Sequence, residues 1–101
     1  MNLIEADLKY IKQICKLHNV EKLFTFGSIN TDEFNSKSDI DLLIKFAPIN
    51  LYDYFDNYIE LKTKLENKFN RKIDLIEEQT LKNPYLIESI NNNKKLIWTA
   101  E

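Results

Sequence analysis

The sequence predicts an α/β (α+β) fold: a small mixed β-sheet with helices packed against it. Three observations carry that expectation. Apolar residues recur at helical spacing near the N-terminus and again between residues 51 and 69. Three short runs, KLFTF, DIDLLIKF and KIDLI, read as strands rich in β-branched and aromatic residues. Helical and extended segments alternate along the chain, the pattern of helices laid on a sheet. A chain of 101 residues has room for one sizeable core, so residues 1–101 are expected to form a single domain.

The elements follow in order. Ile4, Leu8, Ile11 and Cys15 mark one stripe of a first helix, which ends near Leu17–Asn19. Lys22–Phe26 forms a strand that Gly27 breaks. Residues 29–38 are polar and read as a short helical turn followed by a loop. Asp39–Phe46 is a second strand, closed by Pro48. Leu51, Phe55, Tyr58, Leu65 and Phe69 give a long helix its buried stripe, and Lys72–Ile76 makes a third strand. Asn83-Pro84 starts another helix, with an Asn cap and Pro at the first helical position, running to about Asn91. Leu96–Thr99 closes the chain as a short strand.

Composition excludes some functions before any motif is considered. Hydrophobic residues make up 44% and charged residues 30%, a globular mixture and not a disordered one. A net charge of -2 provides no bulk attraction to nucleic acid or anionic membrane, so any phosphate must be held locally. The one cysteine, Cys15, forms no internal disulfide, and no Cys/His cluster suggests zinc. The N-terminus mixes Glu, Asp and Lys with its apolar residues, unlike a signal peptide, and no run approaches a membrane span. A cytoplasmic setting is the expectation.

The chemistry lies in acids and one glycine. Strand periodicity places Asp39, Asp41 and Leu43 on one face and Ile40, Leu42 and Ile44 on the other, which belongs in the core. Two carboxylates pointing the same way repel unless a cation or shared proton intervenes. If KIDLI lies beside this strand, Asp74 joins them. Three hard oxygen donors on rigid strands suit Mg²⁺, which takes carboxylates together with water and substrate phosphates. A plainer reading makes Asp39 a cap and leaves Asp41 and Asp74 at exposed strand ends. Gly27 is the chain's only glycine, directly after a strand. Other turns use Asn, Asp and Pro, so a glycine here implies that no side chain is tolerated. Ser28 adds a hydroxyl and an amide suited to an anion.

The GS pair at Gly27-Ser28, ten residues, then DID resembles the GS-x10-DxD signature of the DNA polymerase β-like nucleotidyltransferase superfamily. The short chain is similar to its minimal nucleotidyltransferase (MNT) branch, through LFTFGS, SDIDLLIKF, RKIDLI and NPYLIESI in that order. The resemblance implies a nucleotidyltransferase-like sheet whose neighbouring strands carry the acidic site. It implies that Gly27 and Ser28 hold a nucleotide triphosphate and that Asp39 and Asp41 ligate two Mg²⁺ ions. Asp74 would complete the metal site and help to deprotonate the acceptor. The implied reaction is attack on the α-phosphate with release of pyrophosphate.

Family members commonly follow GS with a basic stretch such as RARG, whereas this chain has Ile29-Asn30-Thr31-Asp32. Only Lys37 is near enough in sequence to replace the missing charge. No added domain is available to bind an acceptor. The minimal branch is commonly paired with a HEPN-domain toxin, and the resemblance implies transfer of AMP from ATP to a tyrosine of that partner, acting as antitoxin. DNA and membrane are not expected partners. Two alternatives stand beside this: an inactive antitoxin that neutralises its partner by binding alone, favoured by the altered loop, and a subunit that modifies small molecules.

Other residues read as structural. His18 is expected at the surface or capping the first helix, Cys15 in the core, and Tyr52, Tyr54 and Tyr58 in packing or partner contact. Trp98 belongs to the core or to an interface. The run from Asn91 to Lys95 is expected to be a solvated turn.

Overall fold

The computed structural model describes residues 2–100. Helix α1 (Leu8–Leu17) leads into strand β1 (Val20–Phe26), followed by a single 3-10 turn (Gly27–Asn30) and a loop. Strand β2 (Ile40–Phe46), helix α2 (Leu51–Phe69), strand β3 (Ile73–Glu77), helix α3 (Pro84–Asn93) and strand β4 (Lys95–Thr99) complete the order. The sheet runs β3-β2-β1-β4, with β2 and β3 parallel and the other pairs antiparallel, so it is mixed as the sequence predicts. Among the described residues no helix is long and apolar enough to cross a membrane.

Both sheet faces are covered. Ile40, Leu42 and Ile44 of β2 and Ile73 and Leu75 of β3 pack against Ile11, Ile14 and Cys15 of α1 and Leu61 and Leu65 of α2. On the other face Phe26 and Leu43 meet Ile90 of α3. Burial on both sides explains why β2 reads as a nearly continuous apolar run after Asp41. A register irregularity between Val20 and Lys22 lets Val20 and Leu23 both face the main core.

Local signals set the helix ends. The Asn50 side chain accepts the Asp53 amide at 3.0 Å, and Asn70 closes α2 in the left-handed region with φ 52°. Such a cap stabilises a helix by about 1 kcal/mol. Asn83 caps α3 by accepting the amides of Tyr85 and Leu86, with Pro84 next in line.

The two helical stripes differ from expectation. A 3-10 turn at Glu5–Asp7 precedes α1. Its tighter winding shifts the phase, so Ile14 joins Ile4, Ile11 and Cys15 in the core and Leu8 turns outward. In α2 the inward stripe is Tyr54, Tyr58, Leu61 and Leu65, while Leu51 and Phe55 face solvent.

His18 caps α1 through its backbone amide, as expected, but its ring is buried and not at the surface. Lys64 Nζ donates to Nε2 at 3.0 Å, which leaves Nδ1 to donate to Asn57 Oδ1 at 2.9 Å. Lys64 and Asn57 lie on α2, so this polar contact ties the end of α1 to it. Trp98 packs on the core and donates from Nε1 to the Val20 carbonyl at 3.2 Å.

Strand β3 is an edge strand, yet its outer edge is occupied. Ile40 donates its amide to the Lys72 carbonyl, so alternate residues Ile73 and Leu75 turn their backbone groups away from β2. The Ile73 amide donates to Glu66 Oε2 at 3.2 Å, and the Leu75 carbonyl accepts the Tyr58 hydroxyl. Both side chains come from α2.

Candidate active site

The parallel register of β2 and β3 makes Asp41 and Asp74 direct partners. Register partners on adjoining strands leave the sheet on one face, here the face of Leu43 and Ile76. Asp39 lies one residue before β2 and not within it, because pairing starts at Ile40. It is still close enough to act on Asp41. Burial first, then the charges of Asp74 and Asp39, raise the Asp41 carboxyl above its ordinary value. Asp74 itself is exposed at the sheet edge.

Gly27 stands against this group. The antiparallel register places Phe26 opposite Asp41, so the residue after β1 arrives beside the carboxylate. Gly27 has φ +76°, and a β-carbon there would fall 2.4 Å from Asp41 Oδ2. Backbone conformation therefore favours glycine, and any side chain here would have to push the Asp41 carboxylate aside.

The turn is fixed by residues that the sequence did not single out for the site. Asn93 Oδ1 accepts the Gly27 amide at 2.6 Å. Asn30 Nδ2 donates to the carbonyls of Thr25 at 3.0 Å and Asn93 at 3.1 Å, while Asn30 Oδ1 accepts from the buried Thr25 hydroxyl at 3.1 Å. Asn93 is thus the last residue of α3, partly buried and engaged, and not part of a solvated turn. No local pattern could have revealed it, since its partners lie more than 60 residues away. Asn30 had one signal, its place two residues after the GS pair. Ser28 lines a cavity of about 310 Å³ with Gly27, Leu86, Ser89 and Asn93.

Arg71 holds the loop that leads to Asp39. One Nη1 donates to the carbonyls of Asn35 at 2.8 Å and Ser38 at 2.9 Å, and the guanidinium lies 4.5 Å from the Phe34 ring centroid. Lys37 is exposed on the same loop. Where α2 meets β3, burial and the charge of Asp74 raise the Tyr58 phenol, and the Tyr54 hydroxyl donates to the Glu77 carboxylate.

Asp39, Asp41 and Asp74 offer hard oxygen donors of the type that Mg²⁺ takes, and their mutual charge is of the sign that a cation relieves. Among the described residues no group of three His, Cys, Asp or Glu side chains is placed to hold a metal ion. The donors fit Mg²⁺ in their chemistry, and the register pairing of Asp41 with Asp74 is the geometry that brings two of them together.

Comparison with known proteins gives a consistent result. The family model described as polymerase beta, nucleotidyltransferase matches residues 9–101. Two curated proteins of Methanocaldococcus jannaschii, each provisionally named a protein adenylyltransferase, are similar. One is 34% identical over 94 residues, covering 85% of this chain and 93% of the relative. The other is 34% identical over 86 residues, covering 84% of each. A solved structure provisionally described as a minimal nucleotidyltransferase aligns with a TM-score of 0.75 at 26% identity, covering 94% of this chain and 95% of that one. The tri-AMPylated Shewanella oneidensis HEPN toxin in complex with MNT antitoxin gives a TM-score of 0.66 at 17% identity, covering 97% and 74%. At that identity the likeness is one of fold.

Proposed function

The chain belongs to the polymerase beta nucleotidyltransferase family and is a nucleotidyltransferase; on that premise we propose that it moves AMP from ATP, with Mg²⁺, onto a tyrosine of a HEPN-domain partner and so acts as its antitoxin. The observation that carries the reading is the register pairing of Asp41 with Asp74 directly beside Gly27. A protein acceptor is supported by the names of the curated relatives and by the AMPylated toxin in one structural neighbour.

Asp39, Asp41 and Asp74 would hold Mg²⁺, two ions in the full arrangement. Bound there, the metal would supply positive charge against the triphosphate and the leaving pyrophosphate. The chain's own groups do the rest. Ser28 presents its hydroxyl and amide to a phosphate oxygen. Gly27 provides room and the turn, while its amide is already engaged by Asn93. Asp74, exposed at the sheet edge, accepts the proton of the acceptor hydroxyl. The acceptor oxygen bonds to the α-phosphorus, and the bond to the bridging oxygen breaks. That oxygen leaves with the electron pair as pyrophosphate.

A binding-only antitoxin is the second reading, favoured by one observation: residues 29–32 bring no basic side chain to the phosphate side of the site. Incubation with α-phosphate-labelled ATP, Mg²⁺ and the HEPN-domain partner separates the two. Label on the partner with wild type, and none with Asp39→Asn/Asp41→Asn, is the expected result. Inhibition of the partner without label from any nucleotide would leave only the binding role.

A further inference from the structure

Helix α2 carries apolar residues on two sides, and the core uses one. Leu51, Phe55 and Ile59, four residues apart, form an outward stripe with Tyr52 beside it. Leu51 is 89% exposed, Tyr52 94% and Phe55 67%. Grooves of about 330 and 360 Å³ flank the start of the helix, the first against Pro48 and Leu51, the second against Phe55, Tyr58 and Ile76. Contiguous apolar relief of this kind marks a contact surface more often than scattered apolar residues do.

The charge beside it is mostly of one sign, Lys62 at the end of the stripe being the exception. Residues 51–60 contain Asp53, Asp56 and Glu60, and residues 73–80 contain Asp74, Glu77 and Glu78, with no Lys or Arg in either segment. The rest of the chain has ten acids against 14 bases. Lys45, whose pKa is raised chiefly by its hydrogen bond and ion pair with Glu21, is paired with it at 3.0 Å. The apolar stripe therefore has Asp53, Asp56 and Glu60 along its solvent flank and Glu78 near its other flank.

We infer that this face docks a partner protein presenting an apolar strip flanked by lysine and arginine. Such a strip buries against Leu51, Tyr52 and Phe55 while its bases meet the acidic rim. A second copy of this chain fits poorly, because a two-fold contact would lay acidic rim on acidic rim. The position is also informative: Tyr58 lines one groove, and the charge of Asp74 acts on its hydroxyl. A partner seated here reaches the β3 edge, where Asp74 is exposed. The inference rests on the proposed function only in taking the acceptor to be a protein, and its test uses no nucleotide, so the two can fail separately.

The test is binding of a synthetic amphipathic helix, leucine along one face and lysine on its flanks, to the full chain, read by fluorescence anisotropy and amide NMR shifts. A twin peptide with glutamate for lysine is the control. The expected result is binding of the lysine peptide alone, with shifts confined to α2 and β3. Affinity falls at least about tenfold in Leu51→Ser/Phe55→Ser and in Asp56→Lys/Glu60→Lys, and is unchanged in Tyr85→Ser, a distant exposed aromatic. No binding, equal binding of the twin, or equal loss in Tyr85→Ser would overturn the inference. So would sedimentation showing a dimer of the chain that Phe55→Ser abolishes, since the face would then serve self-association. Thermal melting of each variant confirms that these exposed positions leave the fold intact.

Discussion

The Asp41 carboxylate occupies the space that a side chain at Gly27 would need, with Oδ2 only 2.4 Å from the position of a β-carbon there. Because the obstructing atom is the end of a side chain and not backbone, alanine at this position displaces the carboxylate before it unfolds the chain. Gly27→Ala is expected to cost about 1–2 kcal/mol of stability, the strain of a positive φ. AMP transfer should fall much further, by about 100-fold. Urea unfolding together with transfer of label from ATP checks the pair; a loss of activity no larger than the loss of stability would deny Gly27 its place in the site.

Asp41 also makes stability depend on pH in a stated direction. Its carboxyl is raised in the fold by burial, Asp74 and Asp39, so the folded chain binds a proton that the unfolded chain has released. Stability therefore falls as pH rises from the ordinary carboxylate value through the raised one. Asp41→Asn removes that loss and should stabilise the chain at neutral pH by on the order of 0.5 kcal/mol, the gain being small because solvent screens a partly exposed group. Mg²⁺ should raise the melting temperature of wild type and not of Asp39→Asn/Asp41→Asn. A wild-type melting temperature indifferent to Mg²⁺ would count against cation binding by these acids.

Asn30 makes three side-chain hydrogen bonds, one to a hydroxyl that is fully buried. Asn30→Ala should destabilise by about 2–3 kcal/mol, since the Thr25 hydroxyl and two carbonyls lose a partner. The double variant Asn30→Ala/Thr25→Val should recover part of that loss by removing the orphaned hydroxyl. Chemical denaturation of the single and double variants measures the recovery, and its absence would mean that water replaces Asn30 freely.

Burial pushes the Cys15 thiol up to about 12. Thiol reagents at pH 8 should leave the native chain unmodified and react stoichiometrically in urea, because the thiolate is the reactive form. Rapid native labelling would place Cys15 outside the core.

What the sequence revealed depended on how local the cause was. The bounds of α2 were legible from the spacing of apolar residues between Leu51 and Phe69, and the structure adds a cap at each end, Asn50 and the left-handed Asn70, both short-range effects. The meeting of Asp41 and Asp74 was legible because each sits in an apolar strand pattern that fixes its face, leaving only strand adjacency to be supplied. The clamp of Asn93 on Gly27 was not legible, since it joins the end of α3 to a turn at the far end of the chain. The burial of His18 depends in the same way on Lys64 and Asn57 of another helix. Leu51 and Phe55 looked like core because periodicity identifies an apolar face without saying what covers it.

The hydroxyl of Tyr58 and the carboxylate of Glu66 also govern how the chain behaves in a crowd. A sheet margin with free amides and carbonyls is a template on which another molecule's strand can grow, and polymerisation starts there. In β3 one such group at each of two residues is already engaged from the helix above, the Ile73 amide by Glu66 and the Leu75 carbonyl by Tyr58. An arriving strand meets a tyrosine ring and a negative charge where it would need open ladder positions. These two contacts are thus expected to slow strand addition at this margin, and Tyr58→Ala/Glu66→Ala would free both groups while leaving the acids of the site in place.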